Sequence, residues 1–146
     1  MTLTNHLLTG AALGKFLPLP VAIPLAFASH FVLDALPHFG FPNIDARMKH
    51  LTMFKAVICA DFLLSALLSI WLIRAHHAKW LLTGLVAYSP DVLWIYRFAV
   101  EEKFGKVHPT RGNRFIQFHR DIQKYERVWG GSIELLYGSM FLALLH

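Results

Sequence analysis

At 146 residues, 55% of them hydrophobic and only 16% charged, the chain suits one domain and is too apolar for an ordinary soluble one. A mean hydropathy of +0.46 with a formal charge of +5 points to a membrane protein whose basic loops meet anionic headgroups, rather than to a nucleic-acid binder. One cysteine, Cys59, excludes an intramolecular disulfide and a thiolate zinc cluster.

Five apolar segments are expected to cross the membrane as one integral domain, residues 1–146, an all-α bundle of about five helices. The first runs from Leu3 to Leu17 and is short for a full crossing; it is either tilted or half of a hairpin through Pro18-Leu19-Pro20. The N-terminal stretch lacks a Lys/Arg-rich leader, carries His6 and Lys15, and is interrupted by Pro18, Pro20 and Pro24. A cleaved signal peptide is therefore not expected, although Ala26-Phe27-Ala28 mimics a cleavage site. The second segment spans Val21 to Leu36, with Pro37 ending or bending it. Leu51 to Ile73 is the clearest span by length, and Trp80 to Tyr96 carries a kinking Pro90. Asn113 to Tyr125 reads as an amphipathic lead-in to the last run, Trp129 to Leu145, with the bend at Gly130-Gly131.

Basic residues are unevenly divided between the loops. Arg47, Lys49, Lys103, Lys106, Arg111, Arg114, Arg120, Lys124 and Arg127 fall on the side of the N-terminus; Lys15, Arg74 and Lys79 fall opposite. The N-terminus is thus expected in the cytoplasm. Trp71, Trp80, Trp94 and Trp129 lie near span ends, as interfacial anchors do.

Each long apolar segment nevertheless carries an ionisable residue, which is costly there unless paired, hydrated or bound to a cation. The sequence SHFVLDALPHF sets His30, Asp34 and His38 at i, i+4 and i+8. His6, Asp61, Asp91 and His119 fall at similar depths in the cytoplasmic half, so a polar pocket near that side is expected. Small residues share the His6 and Asp91 faces (Thr9 and Gly10; Gly84 and Ala87), permitting close helix packing. His119, Gln123, Glu126 and Gly130 align along the last helix. The plain alternative is a buried His–Asp hydrogen bond that only locks two helices.

Imidazole and carboxylate together suit zinc, manganese or iron, and three histidines with three aspartates exceed one tetrahedral zinc. The expected metal ligands are His6, His30, Asp34, Asp61, Asp91 and His119, holding a divalent transition metal (zinc or manganese) as two ions bridged by an Asp and a hydroxide. Asp61 and Glu126 are the expected catalytic residues, with Glu126 orienting water or protonating the leaving group. The hydroxide would attack a phosphoester of a lipid or similar amphiphile, its anionic headgroup gathered by nearby Arg and Lys. Membrane lipids are the expected partners and nucleic acid is not.

His6, Ser29-His30 with Asp34, and Ser89-Pro90-Asp91 give the chain a resemblance to the bacterial membrane-bound metal-dependent hydrolases, inner-membrane relatives of the zinc-dependent phospholipase C fold. The resemblance covers about a third of the chain and implies a metal-dependent hydrolase without naming its substrate. PDxDH and HRGxTH segments, standard in that family, are absent from this chain.

Two other classes compete. Intramembrane Asp and His also build ion or proton relays in small transporters and channels, and a non-enzymatic scaffold needs neither metal nor flux. His50, His76, His77, His108 and His146 are assigned to loops or the chain end. Glu134 either pairs with Arg97 or a histidine, or supports the ligands from outside.

Overall fold

The computed structural model describes residues 1–41, 44–96 and 114–145. Among these residues, seven helices and one short strand pair follow in chain order: α1 (Leu3–Phe16), α2 (Leu19–Asp34), β1 (His38–Phe39), α3 (Ile44–Lys49), α4 (Leu51–Arg74), α5 (Ala78–Tyr96), α6 (Arg114–Ile122), β2 (Glu126–Arg127) and α7 (Gly130–Leu145). The chain is all-α in class, its strands only two residues each.

Local sequence sets the helix ends. Leu17 precedes Pro18, which disfavours a helical conformation there, and α1 stops with Leu17 extended. Pro18 is the N-cap of α2 and Pro20 sits in its first turn, where a missing N–H costs nothing. At the other end α2 closes before Pro37, and the chain turns into β1. His38 therefore leaves the helical line of His30 and Asp34 and pairs in β1, opposite Glu126 of the parallel strand β2. Between α6 and α7 the backbone is non-helical from Gln123 to Trp129, so the lead-in and the last apolar run are separate helices rather than one bent at Gly130-Gly131.

Helix α1 is the hub, packed against α5, α2, α7 and α4. Glycine permits the closest of these approaches. A Cβ on Gly10 would lie 2.4 Å from the Thr83 carbonyl oxygen, and one on Gly84 would lie 2.6 Å from Leu7 Cδ1. Away from the N-terminus of α1, Leu8, Ala11, Ala12, Leu72 and Leu145 form the apolar core, with Trp80 and Phe141 packed on it. Lys15 Nζ donates to the Leu144 carbonyl and Lys79 Nζ to the Leu17 carbonyl, placing cations on helix C-termini where the backbone is electron-rich.

Among the described residues one helix, α4, is long and apolar enough to cross a membrane: 24 residues, or about 36 Å at the helical rise. Its buried residues are Asp61, Ser65 and Leu72, and its other sides expose large apolar residues such as Phe62, Leu63 and Leu67. Helices α2 and α7 are apolar but 16 residues long.

Candidate metal centre

The N-terminal turn of α1, the C-terminal turn of α2, the part of α5 after its proline, and α6 meet at one end of the bundle. His6, His30, Asp34 and His119 are all fully buried there. One ligand atom from each of His30, Asp34, Asp91 and His119 lies within 4.8 Å of the others, a group that can hold a metal ion. The tightest part is a triangle: His119 Nε2 is 2.6 Å and His30 Nε2 3.3 Å from Asp34 Oδ2, and the two imidazole nitrogens are 3.0 Å apart.

The donor set fits an ion for a reason visible in the hydrogen bonds. His30 Nδ1 is 2.9 Å from the Ala87 carbonyl, which can only accept, so that nitrogen carries the proton. His30 Nε2 is left with its lone pair facing a carboxylate oxygen, two acceptors in contact. A cation between them converts that repulsion into coordination, and the protonated Nδ1 fixes the ring as metal-binding histidines are commonly fixed. Gln123 Nε2 donates to the same oxygen, Asp34 Oδ2, at 3.0 Å.

Both carboxylates face two ways. Asp34 turns Oδ1 to His6 Nε2 at 3.1 Å while Oδ2 faces His30 and His119. Asp91 turns Oδ2 to His6 Nε2 at 3.7 Å and Oδ1 to His30 Nε2 at 3.8 Å. The His6 and His30 rings stack with centroids 4.1 Å apart. His6 Nδ1 is buried with no hydrogen-bond partner among the described residues, where His30 has the Ala87 carbonyl.

The Met1 ammonium also contacts Asp34 Oδ1. Burial disfavours its charge, but Asp34, Asp91 and Glu134 outweigh burial and hold its pKa above the ordinary α-amino value. A positive group is thus already drawn to this end of the bundle.

Asp61, expected among the ligands and in catalysis, is outside the group. Its Oδ2 accepts from the Leu3 N–H at 2.7 Å, and its Oδ1 from the Thr4 N–H at 3.0 Å and the Thr4 hydroxyl at 2.6 Å. Thr2 makes no side-chain cap, so α4 supplies the cap for α1 from outside. Glu134 completes it by accepting the Thr2 N–H at 3.0 Å. Glu126 is also elsewhere: once α6 ends at Ile122, the helical line from His119 to Glu126 is broken. Glu126 Oε1 is instead 3.8 Å from His38 Nε2, and its Oε2 3.8 Å from Arg47.

Sequence periodicity marked Gln123 without a role, and it missed the Ala87 carbonyl altogether. Pro90 was the available signal, since a helical proline strips a carbonyl of its N–H partner. Here the Ser89 hydroxyl donates to the Val86 carbonyl at 2.9 Å, and the next carbonyl, that of Ala87, takes His30. Arg97, Lys103, Lys106, Arg111, His108 and His146 lie outside the described residues, with the pairing and loop roles expected of them.

Fold and site together define a helical bundle with a buried imidazole–carboxylate group able to hold a metal ion. No family model, curated protein or solved structure matches the chain.

Proposed function

We propose that the protein is a membrane-embedded, metal-dependent hydrolase acting on a phosphoester of a lipid or similar amphiphile. The convergence of His30, Asp34, Asp91 and His119, from three helices onto one buried point, carries this reading. A nitrogen and oxygen donor set of this kind suits zinc or manganese. The two-faced carboxylates favour two neighbouring ions, one on the His30–His119 side and one on the His6 side, where the Met1 ammonium stands in for positive charge. Bound ions of this type supply hydroxide at neutral pH and stabilise charge on phosphoryl oxygens.

The chain's own residues do the rest. Asp34 and Asp91 hold the two halves of the site at a fixed separation, and Gln123 steadies Asp34. The low exposure of the ligands excludes bulk water, which strengthens every electrostatic contact within. The resemblance carried by His6, Ser29-His30-Asp34 and Ser89-Pro90-Asp91 agrees with this reading.

A five-helix bundle of α1, α2, α4, α5 and α7 in a bacterial inner membrane, N-terminus cytoplasmic, belongs to the same proposal. The large apolar side chains exposed on α2, α4 and α7 support it. So does the unequal share of basic residues between the loops.

Protein purified in detergent should contain stoichiometric zinc or manganese and release 4-nitrophenol from a soluble phosphodiester. His30→Ala should lose both. Absence of any transition metal, with none restoring activity, would falsify the reading. Ion flux in sealed vesicles that survives metal removal would replace it with transport.

A further inference from the structure

The helix that brings His119 to the metal group, α6, also carries aromatic side chains beside it. Phe31 of α2 lies edge-on to the His30 and His119 rings, with centroids 5.1 and 5.7 Å away. Phe115 and Phe118 of α6 pack on Phe31 at 5.9 and 5.6 Å, and Phe27 continues the row one turn back along α2 at 5.3 Å. The row begins against a metal-capable histidine and runs outward to exposed rings: Phe118 is 51% and Phe27 43% exposed. Arg114 and Lys124, both exposed, flank the same helix.

We infer that the Phe27–Phe31–Phe115–Phe118 row binds the alkyl chain of the substrate, a phosphodiester amphiphile lying in the bilayer, and so sets its specificity. This rests on the hydrolase reading above and deepens it. Continuity decides the occupant, because Phe31 and Phe115 touch the His119 ring directly. A molecule whose ester sits at the metal group has an apolar path leading away from it. Arg114 at the start of α6 and Lys124 just past its end suit an anionic ester entering the same way. In the reaction, hydroxide oxygen bonds to phosphorus as the bond from phosphorus to the leaving oxygen breaks; the alkyl group stays on the retained oxygen and remains on the row.

The test compares methyl and octyl 4-nitrophenyl phosphate as probes of the metal-loaded protein in detergent. The wild type should show kcat/KM at least about tenfold higher for the octyl ester, since each buried methylene contributes a several-fold factor. Phe118→Ala should lower that octyl-to-methyl ratio by about fivefold or more, the scale of a lost apolar contact. Its metal content should not change. Phe62→Ala, at an aromatic on α4 that is 41% exposed, should leave the ratio alone.

If wild type cleaves the methyl ester with no octyl preference, the inference fails and the hydrolase reading stands. Equal shifts in Phe118→Ala and Phe62→Ala also overturn it, as they report partitioning into detergent. If Phe118→Ala changes the particle mass but not the ratio, the row is an interface between copies. If neither ester is cleaved, the hydrolase reading fails and takes the inference with it.

Discussion

The Nδ1–H of His30 is committed to the carbonyl oxygen of Ala87, 2.9 Å away on the neighbouring helix α5. That one bond selects the tautomer, aims Nε2 at Asp34, and ties α2 to α5 at the point where the ligands meet. Metal binding and the packing of these two helices are therefore linked.

Removing a ligand should separate from removing its support. His30→Ala and His119→Ala should purify without stoichiometric metal while keeping their helical circular dichroism. Gln123→Leu removes only the donor to Asp34 Oδ2 and should weaken metal binding by about 10–100-fold, measured by competition with a chelating dye. An affinity unchanged in Gln123→Leu would mean that Asp34 is held by other contacts.

Asp61→Ala should destabilise the protein and spare the metal. The Leu3 and Thr4 N–H groups lose their acceptor, at a cost of about 2–3 kcal/mol, while the Thr4 hydroxyl keeps the carbonyl of residue 61 and the Ser65 hydroxyl. A lowered Tm with full metal occupancy at saturating zinc is the expected pair of results. Loss of metal at saturation would return Asp61 to the ligand set.

Metal affinity should fall as the solution is acidified. Coordination needs neutral imidazoles and ionised carboxylates, so binding releases protons and weakens once the solution is acid enough to protonate a ligand. Titrations at several pH values should show the dissociation constant rising toward low pH, by about tenfold per unit for each proton released on binding. A pH-independent affinity would exclude the histidines as ligands.

Gly84→Val should disrupt the bundle and the site together. Its Cβ would meet the Leu7 side chain at 2.6 Å and the Leu7 carbonyl at 2.8 Å, and overpacking of this kind costs about 1–3 kcal/mol or more. Because Leu7 adjoins His6, the variant should show a lower Tm and reduced metal occupancy. Wild-type behaviour would mean that α1 and α5 separate at little cost.

Much of this architecture was legible in the chain. Apolar runs gave α1, α2, α4, α5 and α7, prolines gave the ends of α1 and α2, and small residues marked the His6 and Asp91 faces for close packing without saying which helix each would meet. His6, His30, Asp34, Asp91 and His119 stood out because ionisable groups are expensive in apolar helices. Those properties are local, fixed by residue type and by position along one helix.

Which of the ionisable groups would meet was not local. Asp61 has the same carboxylate and a similar depth as Asp91, yet it caps α1, because the N–H groups at the start of that helix abut α4. Glu126 aligned with His119 only while the helix was taken to continue; the break after Ile122 turned it toward His38 and Arg47. A helical period fixes the face on which a side chain lies, but not which neighbour that face meets. Helix rotation and separation settle that, and here the glycine contacts between α1 and α5 and the cap on α1 hold both.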